Sequence, residues 1–227
     1  YPTGIAYNPE NKDMYLLQVF LGRIFENSNH AVAIINSTTN NVTNIIEHLN
    51  GYPTGIAYNP ENKDMDLVIQ NISHPQDQLR LLKIDPTTNN ITTILKNFED
   101  ADLASAIAYN PDNKNIYMTD IVNSTSISVI DPSTNTVIKN MPISDRNYSS
   151  GNLLYNPSNG YIYATSIINE TGTLSVIDPS TNSVIKNIPI AKVPNYNFRS
   201  DIIYNPSNGY IYVMNIDSSV NTTSTGY

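Results

Sequence analysis

The sequence predicts an all-β fold made of small four-stranded antiparallel units in tandem. Three observations predict it. The first is self-similarity: residues 1–14, YPTGIAYNPENKDM, recur unchanged at 52–65. Weaker copies follow as AIAYNPDNKNIY at 106–117, LLYNPSNGYIY at 153–163 and IIYNPSNGYIY at 202–212. The anchoring tyrosines Tyr7, Tyr58, Tyr109, Tyr155 and Tyr204 are spaced 51, 51, 46 and 49 residues apart. The second is a motif between the anchors. SVIDPSTNTVIKNMPI at 128–143 matches SVIDPSTNSVIKNIPI at 175–190 in 14 of 16 positions, and 81–95 and 32–46 are looser versions. The third is composition: 34 Asn, 41 Ser plus Thr, 16 Tyr, no Trp and abundant Ile and Val. Asn supplies turns and β-branched residues supply strands.

Each repeat therefore holds two apolar run–turn–apolar run pairs, or two β-hairpins. In the second repeat strand A is expected near Gly55–Asn59, strand B near Met65–Gln70, strand C near Leu79–Asp85 and strand D near Ile91–Leu95. Helix is disfavoured, because the runs are short and Pro recurs where a helix would have to continue. The A–B turns carry Asn159-Gly160 and Asn208-Gly209, the strongest short hairpin signal. The first three repeats put Lys12, Lys63 and Lys114 in that glycine's place, which reads as a solubility device. The C–D turns place Pro after Asp85, Asp131 and Asp178 and put Asn where a left-handed residue is wanted. Those aspartates read as turn caps at equivalent corners, not as a metal or catalytic set.

Four strands in about 50 residues is the size of a propeller blade. The expected fold class is thus a β-propeller in one domain, 1–227. It has four complete repeats, 1–51, 52–101, 102–147 and 148–198, and a partial fifth, 199–227. The ring is either five-bladed with an incomplete last blade or a segment of a larger propeller. The strings IYMTD at 116–120, IYATS at 162–166 and IYVMN at 211–215, with SVIDPSTN twice, resemble the YVTN-family β-propeller repeat. The first two repeats depart from it with MYLLQ and MDLVI. The resemblance implies a propeller of the extracellular or surface-layer type, as in archaea and bacteria, and supplies no fixed catalytic motif.

Net charge is −8, from 12 Lys plus Arg and 20 Asp plus Glu. A nucleic-acid partner needs a basic face, so this acidic chain argues against one. No apolar run reaches the roughly 18 residues of a membrane-spanning helix. The absence of cysteine excludes disulfides, thiolate nucleophiles and Cys-ligated zinc. Eight N-x-Ser/Thr sequons, at Asn36, Asn41, Asn71, Asn90, Asn123, Asn147, Asn169 and Asn221, are glycosylation candidates. So many Asn, Ser and Thr give nearly that number by chance.

In a propeller the A–B and C–D turns share one face, and the B–C and D–A connections share the other. The second set is expected to be long and varied: 18–30, 48–54, 70–78, 97–105, 119–126, 144–151, 165–173 and 191–200. Diverse loops on a rigid scaffold place specificity on that face. Its D–A loops carry Tyr52, Asp100, Asp102, Arg146, Tyr148, Tyr196 and Arg199 as candidate ligand or partner contacts. The plainer reading is ordinary loop packing. His30, His48 and His74 are not spaced as ligands. The acidic stretch Glu99-Asp100-Ala101-Asp102 offers oxygen to Ca²⁺ but lacks the alternation and glycine of an EF-hand, and no other cofactor or metal is expected.

The function expected is a non-catalytic, extracellular or cell-surface scaffold. It would bind protein, glycan or its own kind through the loop face or an open edge. The alternative is a lactonase- or lyase-like enzyme whose Asp100, Asp102, Arg146 and Arg199 converge at the channel mouth.

Overall fold

A computed structural model describes residues 2–19, 30–70, 79–96, 106–121, 125–144, 151–193 and 198–217. These form eighteen strands and, among the described residues, no helix. The first blade is β1 (Pro2–Asn8), β2 (Asp13–Gln18), β3 (Ala31–Asn36) and β4 (Asn41–Ile46). The second is β5 (Tyr52–Tyr58), β6 (Met65–Gln70), β7 (Leu79–Ile84) and β8 (Ile91–Lys96). The third is β9 (Ile107–Asn110), β10 (Asn115–Ile121), β11 (Thr125–Asp131) and β12 (Thr136–Pro142). The fourth is β13 (Leu153–Tyr155), β14 (Ile162–Ile168), β15 (Thr171–Asp178) and β16 (Ser183–Lys192). A two-stranded sheet, β17 (Phe198–Asn205) and β18 (Tyr210–Asp217), follows.

Every four-stranded sheet is an antiparallel meander in chain order, and the strands fall where the repeat places them. The first strands of successive blades are neighbours, β1 with β5, β5 with β9, β9 with β13 and β13 with β17. They line the inside, while the outermost β4 and β12 are mostly exposed. The all-β propeller class expected from the repeat is the one observed.

Turn chemistry fixes the register. Asn8, Asn59, Asn110, Asn156 and Asn205 end their strands or directly follow them and accept, through Oδ1, the backbone N–H two residues on, at 2.8–3.1 Å. Lys12, Lys63 and Lys114 sit at φ 61°, 63° and 61°, where the last two repeats use Gly160 and Gly209 at 74° and 72°. Asn40, Asn89, Asn135 and Asn182 take positive φ in the C–D turns, as their composition demands. An extra residue bulges the fourth strand of each complete blade: Thr43, Ile138 and Ile185 at one position, and Ile94 two places later in the second blade. Such bulges deepen strand twist.

The core lies between blades. Tyr15, Leu17, Val32 and Ile34 of the first blade pack on Met65, Leu67, Ile69 and Ile84 of the second. Val68, Leu79 and Leu81 pack on Ile107, Tyr109, Ile116 and Met118 of the third. Tyr117, Ile127 and Val129 pack on Leu153, Ile162, Ala164 and Ile177 of the fourth. Each sheet is thus apolar on both faces, and alternate residues of a second strand serve opposite neighbours. Positions such as Tyr15 and Tyr117 look forward to the next blade, and Met65 and Ile116 look back.

The crossing from first to second blade is tight. Gly51 has φ 136°, and a Cβ there would stand 2.5 Å from Ile69 Cγ2 and 2.6 Å from the Gln70 carbonyl oxygen. Gly51→Ala combines a forbidden φ with a backbone clash and is expected to cost about 2–4 kcal/mol, read as a lowered urea midpoint at unchanged slope.

Two connections differ from expectation. The segment 165–173 is not a long loop: β14 and β15 continue through it and turn on Asn169 and Glu170, at φ 49° and 60°. Two successive left-handed residues make a two-residue hairpin turn that matches strand twist. In 119–126, β10 and β11 likewise extend inward to leave only 122–124 between them.

Candidate functional site

The turn face is built for blade-to-blade contact. Lys63 Nζ reaches Glu10 Oε2 of the preceding blade at 3.2 Å, and Lys114 Nζ reaches Glu61 Oε2 at 2.9 Å. Two of the three lysines that read from sequence as solubility devices, Lys63 and Lys114, therefore bridge neighbours, a role visible only once blades are placed side by side. In the fourth and fifth blades, where glycine replaces lysine, the anchoring tyrosine takes over. Tyr155 Oη bonds Asp112 Oδ2 at 2.9 Å, and Tyr204 Oη bonds Ser158 Oγ. A second contact uses the forward-facing tyrosine. Tyr117 Oη accepts from Asn113 Nδ2 at 2.8 Å and donates to Asn182 Oδ1 of the next blade's C–D turn at 2.6 Å. Asn113 Nδ2 also donates to the Pro179 carbonyl at 3.1 Å.

Asp85, Asp131 and Asp178 cap those C–D turns. Each accepts the backbone N–H two residues on at 2.8 Å. Hydrogen bonds from the Thr87 backbone, the Ser133 hydroxyl and the Ser180 hydroxyl, respectively, do most to hold their pKa values below the ordinary carboxylate range. They stand on separate blades, as turn caps should.

The second blade breaks the tyrosine column. Tyr15, Tyr117, Tyr163 and Tyr212 each take an amide hydrogen bond from the asparagine four residues earlier; the second blade has Asp66 instead. Asp66 is fully buried, its Oδ2 accepting from Asn59 Nδ2 at 3.1 Å and its Oδ1 having no hydrogen-bond partner. Lys83 lies opposite it in register but pairs with Asp64, at 3.1 Å. Burial, helped by the charge of Asp64 and opposed by Asn59 and Lys83, pushes the Asp66 carboxyl up to about 7. Reading the repeats as columns finds this residue: MDLVI carries a carboxylate where its counterparts carry an aromatic ring.

On the opposite, loop-bearing face the described residues include Tyr52 among the sequence candidates. It is half-buried at the start of β5, and its ring meets the His30 imidazole at a centroid distance of 4.3 Å. His30 is fully buried with neither ring nitrogen hydrogen-bonded, and burial lowers its pKa, holding it neutral. Arg80 Nη2 donates to the Asn50 carbonyl beside them. Asp100, Asp102, Arg146, Tyr148 and Tyr196 lie outside the described residues, as does the Glu99–Asp102 stretch. Arg199 pairs with Ile216 through its backbone, and its side chain lies outside the description. Among the described residues no three His, Asp or Glu side chains gather as a metal site would require.

Of the sequons, Asn41, Asn90 and Asn169 are exposed. Asn36 is engaged, its Oδ1 accepting from Thr38 and Thr39 and its Nδ2 donating to Asp13. Asn71, Asn123, Asn147 and Asn221 lie outside the described residues.

Among the described residues, large apolar side chains are exposed on the first and last sheets. On the forward face of β17–β18, Ile203, Tyr210, Tyr212 and Met214 are 50–67% exposed; on the backward face of β1, Ile5 and Tyr7 are 56% and 45% exposed. Among the described residues, the element pairs in substantial contact do not include β17 or β18 with any strand of the first blade. Clusters of large apolar side chains in solvent mark interaction surfaces.

No family model matches the chain, the YVTN repeat included, and no curated protein sequence matches it significantly. Solved structures share the fold. Hydrazine synthase of Kuenenia stuttgartiensis superposes with a TM-score of 0.70 at 20% identity, over 94% of this chain and 55% of that one. A periplasmic gluconolactonase of Pseudomonas aeruginosa gives 0.65 at 9% identity, over 93% and 64%. The β-propeller domain of the Trilobed protease from Pyrococcus furiosus, described as having an open velcro topology, gives 0.53 at 14% identity, over 97% and 72%. The chain thus spans less than two thirds of the first two. At these identities the likeness defines a β-propeller and nothing finer.

Proposed function

We propose that the protein is a rigid binding and assembly scaffold working outside the cell or at its surface, holding protein or glycan partners on the loop face. The observation that carries this reading is the continuous apolar packing that locks each blade to the next, a rigid support for the varied loop-bearing surface. Sheets fixed by inter-blade cores present such a surface without an ordering cost on binding. The amide- and hydroxyl-rich composition and the exposed sequons at Asn41, Asn90 and Asn169 support an extracellular setting, as does the periplasmic location of one structural neighbour. The candidate contacts Tyr52, Asp100, Asp102, Arg146, Tyr148, Tyr196 and Arg199 belong to this proposal as the loop-face set.

The gluconolactonase likeness supports a second reading, a lactone hydrolase with its site at the channel mouth. One experiment separates the two. The intact chain is assayed for saturable retention on a glycan array and for hydrolysis of a panel of aldonolactones. Retention without turnover is expected. Hydrolysis above the spontaneous rate, lost on replacing Arg199 or Asp102, would install the enzyme in the scaffold's place.

A further inference from the structure

We propose that the crossing between the first and second blades holds an anion site on the loop face, built on Arg80 and His30, for the carboxylate of an acidic saccharide. The proposal rests on the scaffold reading above and names the chemistry that its loop face selects.

Strand alternation brings the two residues to one interface. Val32 and Ile34 point forward into the core shared with the second blade, and His30 stands two places before Val32. Leu82 and Ile84 point back into the same core, and Arg80 stands two places before Leu82. Side chains two apart share a face, so both residues cap that core at its loop-face end. The crossing segment ties them together. Leu49 N–H donates to the His30 carbonyl at 3.2 Å, and the next carbonyl, that of Asn50, accepts from Arg80 Nη2. Tyr52, two residues further on, lays its ring against the His30 imidazole at a centroid distance of 4.3 Å. Arg80 and Tyr52 are partly exposed and form the mouth, with the fully buried His30 as its floor.

Hydrogen-bonding capacity is left over here. Arg80 Nε is buried without a partner, and so are both ring nitrogens of His30. Buried polar atoms are nearly always paired, so three unpaired ones around one crossing point to a group that supplies the bonds. Among the described residues no carboxylate pairs with Arg80, whereas Lys63, Lys83 and Lys114 each have one, in Glu10, Asp64 and Glu61. In a chain of net charge −8, a guanidinium left without a described acid is placed to receive an anion. Its planar fork suits a carboxylate. The imidazole narrows the class further. Burial holds it neutral, so it offers one N–H and one acceptor nitrogen. A bare oxyanion leaves that acceptor idle. A sugar acid brings a carboxylate for Arg80 and a hydroxyl for His30, and the Tyr52 ring gives its carbon face an apolar wall.

The probes are D-glucuronate, D-glucose and acetate at matched ionic strength, added to the chain labelled with ¹⁵N-histidine. The His30 ring signals, assigned with His30→Phe, should shift saturably with glucuronate and stay still with glucose, and acetate should bind more weakly. Arg80→Gln should weaken the glucuronate response roughly ten-fold or more, as loss of a charged hydrogen-bond partner does. Arg80→Lys keeps the charge without the fork and should weaken it roughly three-fold. It serves as the reading if Arg80→Gln fails to keep the wild-type unfolding midpoint, which is measured alongside. Equal shifts from glucose or from acetate overturn the proposal, as does an undiminished glucuronate response in a folded Arg80 variant. A chain that is retained by neutral glycans on an array yet is silent to glucuronate would remove this site and leave the scaffold reading standing.

Discussion

Asp66→Asn is expected to stabilise the protein strongly at pH 8 and by only about 1 kcal/mol at pH 4.5. The wild-type carboxyl has a folded pKa of about 7 against an ordinary 3.8. Between those values the folded chain holds a proton that the unfolded chain has released, so stability falls as pH rises. Each pH unit costs about 1.4 kcal/mol, and the whole interval amounts to something on the order of 4 kcal/mol. The asparagine keeps an oxygen for Asn59 Nδ2 and cannot ionise. His30, whose pKa is lowered, acts in the opposite sense, losing stability as pH falls through its titration. Asp85, Asp131 and Asp178, with lowered pKa values, do the same in the acid range. The wild-type profile alone therefore blends slopes, and the difference between wild type and Asp66→Asn isolates this residue. Urea unfolding at half-unit steps from pH 4 to 8 measures it. Parallel profiles would show that Asp66 is solvated or that Lys83 neutralises it.

Tyr117→Ala is expected to cost about 3–5 kcal/mol, the usual penalty for emptying a buried aromatic site. The ring is fully buried between the third and fourth blades, and its hydroxyl ties Asn113 to Asn182. Tyr117→Phe keeps the ring, takes the donor from Asn182 Oδ1, leaves Asn113 Nδ2 with the Pro179 carbonyl, and should cost about 1–3 kcal/mol. Tyr212→Ala is the internal control. It removes the same residue at the equivalent position of the open face, 50% exposed, and should cost under about 1 kcal/mol in dilute solution. The contrast between Tyr117 and Tyr212 reads the difference between a fully buried and a half-exposed site of the same column.

The fold is legible in the sequence because short-range chemistry determines it. Pro and Asn in the turns, β-branched runs between them and the repeat spacing suffice to place β5 to β8 within a few residues. The caps Asp85, Asp131 and Asp178 and the left-handed Asn89, Asn135 and Asn182 are legible for the same reason. What depends on neighbours is not. Residues 1–14 and 52–65 are identical, yet Met65 is fully buried while Met14 is partly exposed, and Tyr7 is more exposed than Tyr58. No local reading separates two identical strings; only the blade that precedes one and not the other does. The Lys63–Glu10 and Lys114–Glu61 bridges share this origin, each joining side chains 53 residues apart. On the loop face, Tyr52 stands out in the sequence, but its His30 partner reads there only as an isolated histidine, because strand packing brings the two together from separate blades.

Tyrosine reactivity tests the order and packing of the blades most directly. Hydroxyl-radical footprinting of the chain at submicromolar concentration, read peptide by peptide, should label Tyr7, Tyr210 and Tyr212 readily and leave Tyr15 and Tyr117 protected. Equal protection of Tyr7, Tyr212 and Tyr117 in a chain that sediments as a monomer would contradict this placement of the blades.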